Sequence, residues 1–257
     1  RRHLHHRVPP LRCPSGKMVE RGSSFQKYVG MSPYNYCAGN PVKLVDQDGR
    51  KIDEASMEQW NKFKNDIISK IKQLEVDNNS NERLEYLTKS LETMNTVEAS
   101  EQFYNLSFTE DDFGEVKYNM EKNSIELVVG SSTSNFIHEL THAGQYESGD
   151  LAFLPNGAPL LQDVEDEINA YKAQFAYDPE ALSLFSTNPK TFKDIDIKFL
   201  DGLGYGNNKL GISSISINSS KFDLLSAYSY DIDMVDSILK SGINTARDIP
   251  NIIFKNK

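Results

Sequence analysis

The chain has 257 residues, 38% of them hydrophobic and 10% aromatic, enough apolar surface for a substantial core; a disordered, collagen-like or disulfide-scaffold protein is excluded. A formal charge of -9 argues against nucleic acid as the main partner, because neutralising phosphates needs clustered Lys and Arg. No run approaches the roughly 18 apolar residues of a transmembrane helix, so no membrane span is expected.

Residues 1–21 form a basic stretch, with Arg1, Arg2, Arg7, Arg12, Lys17 and Arg21 against Glu20. His3, His5 and His6 lie here too, but no apolar periodicity accompanies them. The segment reads as a poorly ordered terminus, not as a metal or nucleic-acid site. Pro9, Pro10, Arg12 and Pro14 interrupt the apolar stretch a secretory signal needs, so no signal peptide is expected. Cys13 and Cys37 read as free thiols, since one bridge there would staple only a small loop.

Over 28–50, Pro33, Gly39, Asn40, Pro41, Asp48 and Gly49 bracket two short β-like pieces. The wording Ser32-Pro33-Tyr34-Asn35-Tyr36, Gly39-Asn40-Pro41-Val42 and Asp46-Gln47-Asp48-Gly49-Arg50 resembles the end of an RHS-repeat-associated core. In that family a β-rich shell ends in such a segment, and a variable C-terminal domain, often a toxin, follows. Gln47 stands where the family has proline, so the resemblance implies inefficient self-cleavage near this point. The expected organisation is a remnant of the core with a poorly ordered N-terminus at 1–50 and one further domain at 51–257.

After Arg50, Met57, Trp60, Phe63, Ile67, Ile71 and Leu74 recur at helical spacing, and Leu84, Leu87, Leu91 and Met94 form a second stripe beyond a polar break at 76–81. Both stripes read as core faces. Val116, Tyr118 and Met120, then Ile125, Leu127 and Val129, alternate around Glu121-Lys122-Asn123, which predicts a β-hairpin. Its second strand is expected to border a cleft and to take substrate backbone as an added strand. Ser131–Ser134 offers N-caps for a helix starting near Asn135. Beyond 180 the pattern weakens to a Gly/Asn-rich loop at 202–208 and a helix near 232–240 closed by Gly242.

His138-Glu139-Leu140-Thr141-His142 is H-E-x-x-H. Four residues apart on a helix, the two imidazoles share one face and reach one metal, while Glu139 can take a proton from a water on it. Imidazole suits Zn²⁺, whose catalytic sites use three protein ligands and leave a position open. With 5 histidines in 257 residues, chance yields this motif about 0.007 times in such a chain. The other three histidines lie within the first six residues, so the third ligand is expected among carboxylates. Glu165 and Glu167, on the next helical run, both qualify; they lie roughly 200° apart around a helix and cannot both face one ion. Asp163, Glu165 and Asp166 otherwise read as a solvated acidic helix start.

Glu167-Ile168-Asn169-Ala170-Tyr171 resembles the E-x-x-A helix of zinc metallopeptidases with a glutamate third ligand, the zincins, and in particular the metallopeptidase domains that close RHS toxins. The resemblance implies Glu167 as the third ligand. Many such proteins place Asp four residues on, where it orients a ligand histidine; Tyr171 stands there, and packing or support of a histidine is expected of it ahead of the alternative, donation to a developing oxyanion. The expectations are therefore an α+β, zincin-like domain that binds one Zn²⁺ through His138, His142 and Glu167. Glu139 is the general base in peptide-bond hydrolysis. The RHS resemblance implies a protein or peptide substrate, delivery into target cells within a larger RHS protein, and an immunity protein as partner. The rival expectations are a non-catalytic binding module and a zinc hydrolase of a non-peptide amide.

Overall fold

The computed structural model describes residues 52–76, 81–110, 114–183, 188–204 and 210–255, which fall in the compact unit Lys51–Lys257. The expected RHS-core remnant at 1–50, and the reading of Cys13 and Cys37, lie outside the described residues. The architecture is α+β: α1 (Glu54–Glu75), α2 (Asn81–Ala99), β1 (Phe103–Phe108), β2 (Glu115–Asn119), β3 (Ser124–Val129), α3 (Thr133–Ser148), β4 (Ala152–Phe153), β5 (Pro159–Leu160), α4 (Val164–Tyr177), α5 (Ile197–Gly202), α6 (Lys221–Ala227) and α7 (Ile232–Lys240). No helix among the described residues is long and apolar enough to cross a membrane.

The first two helices follow their apolar stripes. Trp60, Phe63, Ile67, Leu74, Leu87 and Met94 are buried, and Met57, Ile71, Leu84 and Leu91 pack half-buried against the same core. Phe136 of α3 stacks on Phe63 at 4.3 Å between ring centroids and meets the edge of Trp60 at 5.4 Å, so α1 anchors the start of the motif helix. Gly144 lets α2 come close to α3: a Cβ there would lie 2.8 Å from Thr93 Cγ2.

The expected hairpin is two strands of a three-stranded sheet in the order β1-β3-β2, with β1 parallel and β2 antiparallel to β3. The alternation of Tyr104, Leu106 and Phe108 in β1 was a legible strand signal that the reading missed. One expectation fails as a result. β3 is paired along both edges, its backbone groups are used, and it cannot take an added strand; β1 and β2 are the outer strands. The outer edge of β2 is itself engaged at Tyr118, whose N–H donates to the Gly157 carbonyl at 3.2 Å.

α3 begins two residues earlier than expected, at Thr133, because Ser132 is the cap and accepts from Asn135 N at 3.1 Å. It ends at Gly149 in the left-handed region (φ 86°), a conformation glycine adopts without strain. α4 opens with a reciprocal capping box between Asp163 and Asp166. At its other end Arg83 Nε donates to the Ala176 carbonyl at 2.7 Å, from α2.

A second, smaller core joins Leu160, Leu161, Ile215, Ile217, Leu224, Tyr228, Ile238 and Ile243. α7 spans Ile232–Lys240 with Gly242 just beyond it, as the sequence indicated; α5 and α6 were not foreseen. This part grips the start of α4. Val164 N donates to the Gly211 carbonyl at 2.9 Å, and Asp163 Oδ2 accepts from Ile215 N at 2.8 Å.

Candidate metal centre

α3 presents His138 and His142 one turn apart on the face that packs against α4. α4 runs antiparallel to it, since His138 meets Gln174 while Gln145, further along α3, meets Asp166. Ala143 and Ala170, fully buried in these two helices, are small enough to let them pack closely. The two Nε2 atoms lie 3.3 Å apart. Glu167 completes the group, with Oε1 3.5 Å from His142 Nε2 and Oε2 3.6 Å from His138 Nε2. His138, His142 and Glu167 are buried and can together hold a metal ion. Glu165, the rival, is exposed and turned away.

The tautomers are set from outside the cluster. His142 Nδ1 lies 2.7 Å from Gln145 Oε1, and the Gln145 amide is oriented by its Nε2, which donates to the Asp166 carbonyl at 3.0 Å. His138 Nδ1 lies 3.2 Å from Gln174 Oε1. An amide oxygen only accepts, so each neutral ring carries its proton on Nδ1 and directs the Nε2 lone pair inward. Two lone pairs and a carboxylate converging at such distances require a positive charge between them.

The titration behaviour follows from that demand. Burial holds His142 below the ordinary imidazole value, which favours the neutral donor form. Burial also pulls His138 down, but its contact with Glu167 and the charges of Glu139 and Glu167 outweigh burial and leave it raised. The positive centre is thus either a proton on His138 or a metal ion in its place. The donor set fits an ion well. Two imidazoles and a carboxylate with edges of 3.3, 3.5 and 3.6 Å approach the roughly 3.3 Å edge of a tetrahedron built on metal–ligand bonds of about 2.0–2.1 Å.

Glu139 is buried next to His138 on α3, with its carboxylate against Gly114 at the edge of the sheet. A Cβ on Gly114, just ahead of β2, would lie 2.5 Å from Glu139 Oε1, so only glycine leaves room for the carboxylate. Burial, partly offset by His138, pushes Glu139 up to about 8.

Tyr171 meets His138 through its ring, edge to face at 4.4 Å, and packs on Phe199 at 5.1 Å. The oxygen on His138 Nδ1 comes from Gln174, three residues further along α4. Asp163 and Asp166 correct another expectation: they are buried, not solvated, because the segment 210–217 covers the start of α4. Burial, then the neighbouring Asp163 charge, pushes Asp166 up to about 8.

Gln145, Gln162, Gln174 and Gly114 were not foreseen from the sequence. Gln145 and Gln174 had a signal, lying three residues after His142 and seven after Glu167 on their helices' inner faces. Gln162 and Gly114 act across tertiary contacts and had none. Comparisons with protein-family models, with curated proteins and with solved structures return no match.

Proposed function

We propose that the chain is a zinc-dependent metalloendopeptidase with a zincin-like domain, the C-terminal toxin of an RHS-type polymorphic toxin. The observation that carries this reading is the convergence of His138, His142 and Glu167, with both imidazoles held in the Nε2-donor tautomer and Glu139 on the adjacent flank. Zn²⁺ suits two imidazoles and one carboxylate with a position left open, and when bound it would polarise a carbonyl and acidify a water.

Glu139 accepts the proton of the attacking water and passes it to the leaving amine, so that the nitrogen departs neutral. Burial of all four groups keeps bulk water from screening the charge that develops. An extended peptide would lie against the start of β2, an outer strand that adjoins Glu139 at Gly114, short of Tyr118, where Gly157 already pairs with that edge. The RHS-like wording of 28–50 supports delivery into target cells within a larger protein and a matching immunity protein in the producer.

The test is proteomic detection of new protein N-termini in cells that express the chain, against cells that express Glu139→Gln. Cleavage products confined to the first support the peptidase. If the chain holds zinc and no protein is cut, the activity is on another amide; if it holds no zinc, the chain is a binding module.

A further inference from the structure

Each of the three ligands meets one glutamine. Gln145 Oε1 is 2.7 Å from His142 Nδ1, Gln174 Oε1 is 3.2 Å from His138 Nδ1, and Gln162 Nε2 donates to Glu167 Oε1. The three come from different places: one from α3, one from α4 and one from the strand-like segment before α4. Their chemistry divides by ligand. The histidine partners offer oxygen, the group that accepts a ring proton, whereas the glutamate partner offers nitrogen, the group that donates to a carboxylate.

We infer that Gln145, Gln174 and Gln162 are positioning residues, one to each ligand, forming an uncharged outer shell that fixes which atoms of the site can meet a metal. This rests on the metal-site reading above. Where such sites use a carboxylate on the histidine, the orienting group adds negative charge. Here it adds none, so among the three groups that would meet the ion only Glu167 brings negative charge. Gln145 has a second duty. Its amide spans from His142 to the Asp166 carbonyl, next to Glu167, and so couples the two ligand helices. Gln162 is tied to the C-terminal segment, since its carbonyl accepts from Gly211 N at 3.0 Å. The small second core thereby reaches the third ligand.

The division into oxygen and nitrogen roles makes a test with opposite signs. Zn²⁺ affinity of the full chain is measured by competition with a chromogenic chelator. Gln174→Met keeps the length and loses the acceptor; affinity should fall about 10–100-fold, the usual range for an outer partner. Gln174→Glu restores an acceptor and should bind within a few-fold of the parent. At Gln162 the order reverses. Gln162→Glu sets a carboxylate against Glu167 and should bind more weakly than Gln162→Met. A shared effect on packing would move both Glu variants the same way, and that result overturns the inference, as do Met variants that bind like the parent. A parent that binds no Zn²⁺ overturns the metal-site reading instead. Nitrogen-resolved NMR of the zinc-loaded parent tests the same point without substitution: the ring protons of His138 and His142 should sit on Nδ1, and a proton on Nε2 of either would contradict the assignment.

Discussion

The two helices that carry the ligands are built in different ways. α3 takes its position from the large core: Phe136, Ile137 and Leu140 are fully buried around the motif, and Glu147 near its end accepts from Tyr104 Oη at 2.5 Å and Ser100 Oγ at 2.6 Å. α4 shares that core and adds polar contacts at its start, where Asp163 and Asp166 cap one another and Ile215 N donates to Asp163. Both helices are packed into the large core, α4 through Ile168, Tyr171, Phe175 and Ala176, but the start of α4 is in addition clamped by a polar network from a separate segment. The pair shows how a candidate metal site can draw on one core for both of its helices and on a separate segment, 210–217, for the start of one of them.

The largest expected effect lies on α3 and concerns chemistry alone. Glu139→Gln keeps the shape of the side chain, should leave zinc content unchanged, and should reduce hydrolysis by about 10²–10⁴-fold, the usual worth of a general base. A single-turnover assay with elemental analysis checks both halves. Retained activity would remove Glu139 as the base.

Next comes the packing of α3. Phe136→Ala leaves a cavity between Phe63 and Trp60 and should destabilise the fold by about 3–5 kcal/mol, read by chemical denaturation. A loss under about 1 kcal/mol would mean that α3 is not anchored through its core face.

The caps sharpen the contrast further. Ser132→Ala and Asp163→Ala each remove a helix cap and should each cost about 0.5–2 kcal/mol. Their effects on zinc should differ. Removing Ser132 leaves His138 and His142 in place, whereas removing Asp163 frees the start of α4 and should weaken zinc binding. Equal effects on affinity would erase the distinction between the helices. Smallest of all is Glu165→Ala, on an exposed position of α4, which should change stability by less than about 0.5 kcal/mol.

What could be read in advance follows the same division. H-E-x-x-H is local: a spacing of four on one helix is enough to place both imidazoles. The stripes of α1 and α2 were legible because each faces one core with helical period. The role of Glu167 came from a resemblance, because a third ligand arrives through tertiary structure. Gln162 was not legible at all: its contact with Glu167 depends on how 210–217 covers the start of α4. Asp163 and Asp166 misled for that reason, since an acidic helix start is usually solvated. β1 was missed although Tyr104, Leu106 and Phe108 alternate, and with it the sheet order that makes β3 internal.

The most direct test of the central claim is metal content. Elemental analysis of the purified full chain should find about one zinc per chain in the parent and in Glu165→Ala, and much less in Glu167→Ala, with circular dichroism unchanged in all three. Zinc retained by Glu167→Ala and lost by Glu165→Ala, or absent from the parent, would contradict the three-ligand site on which the account depends.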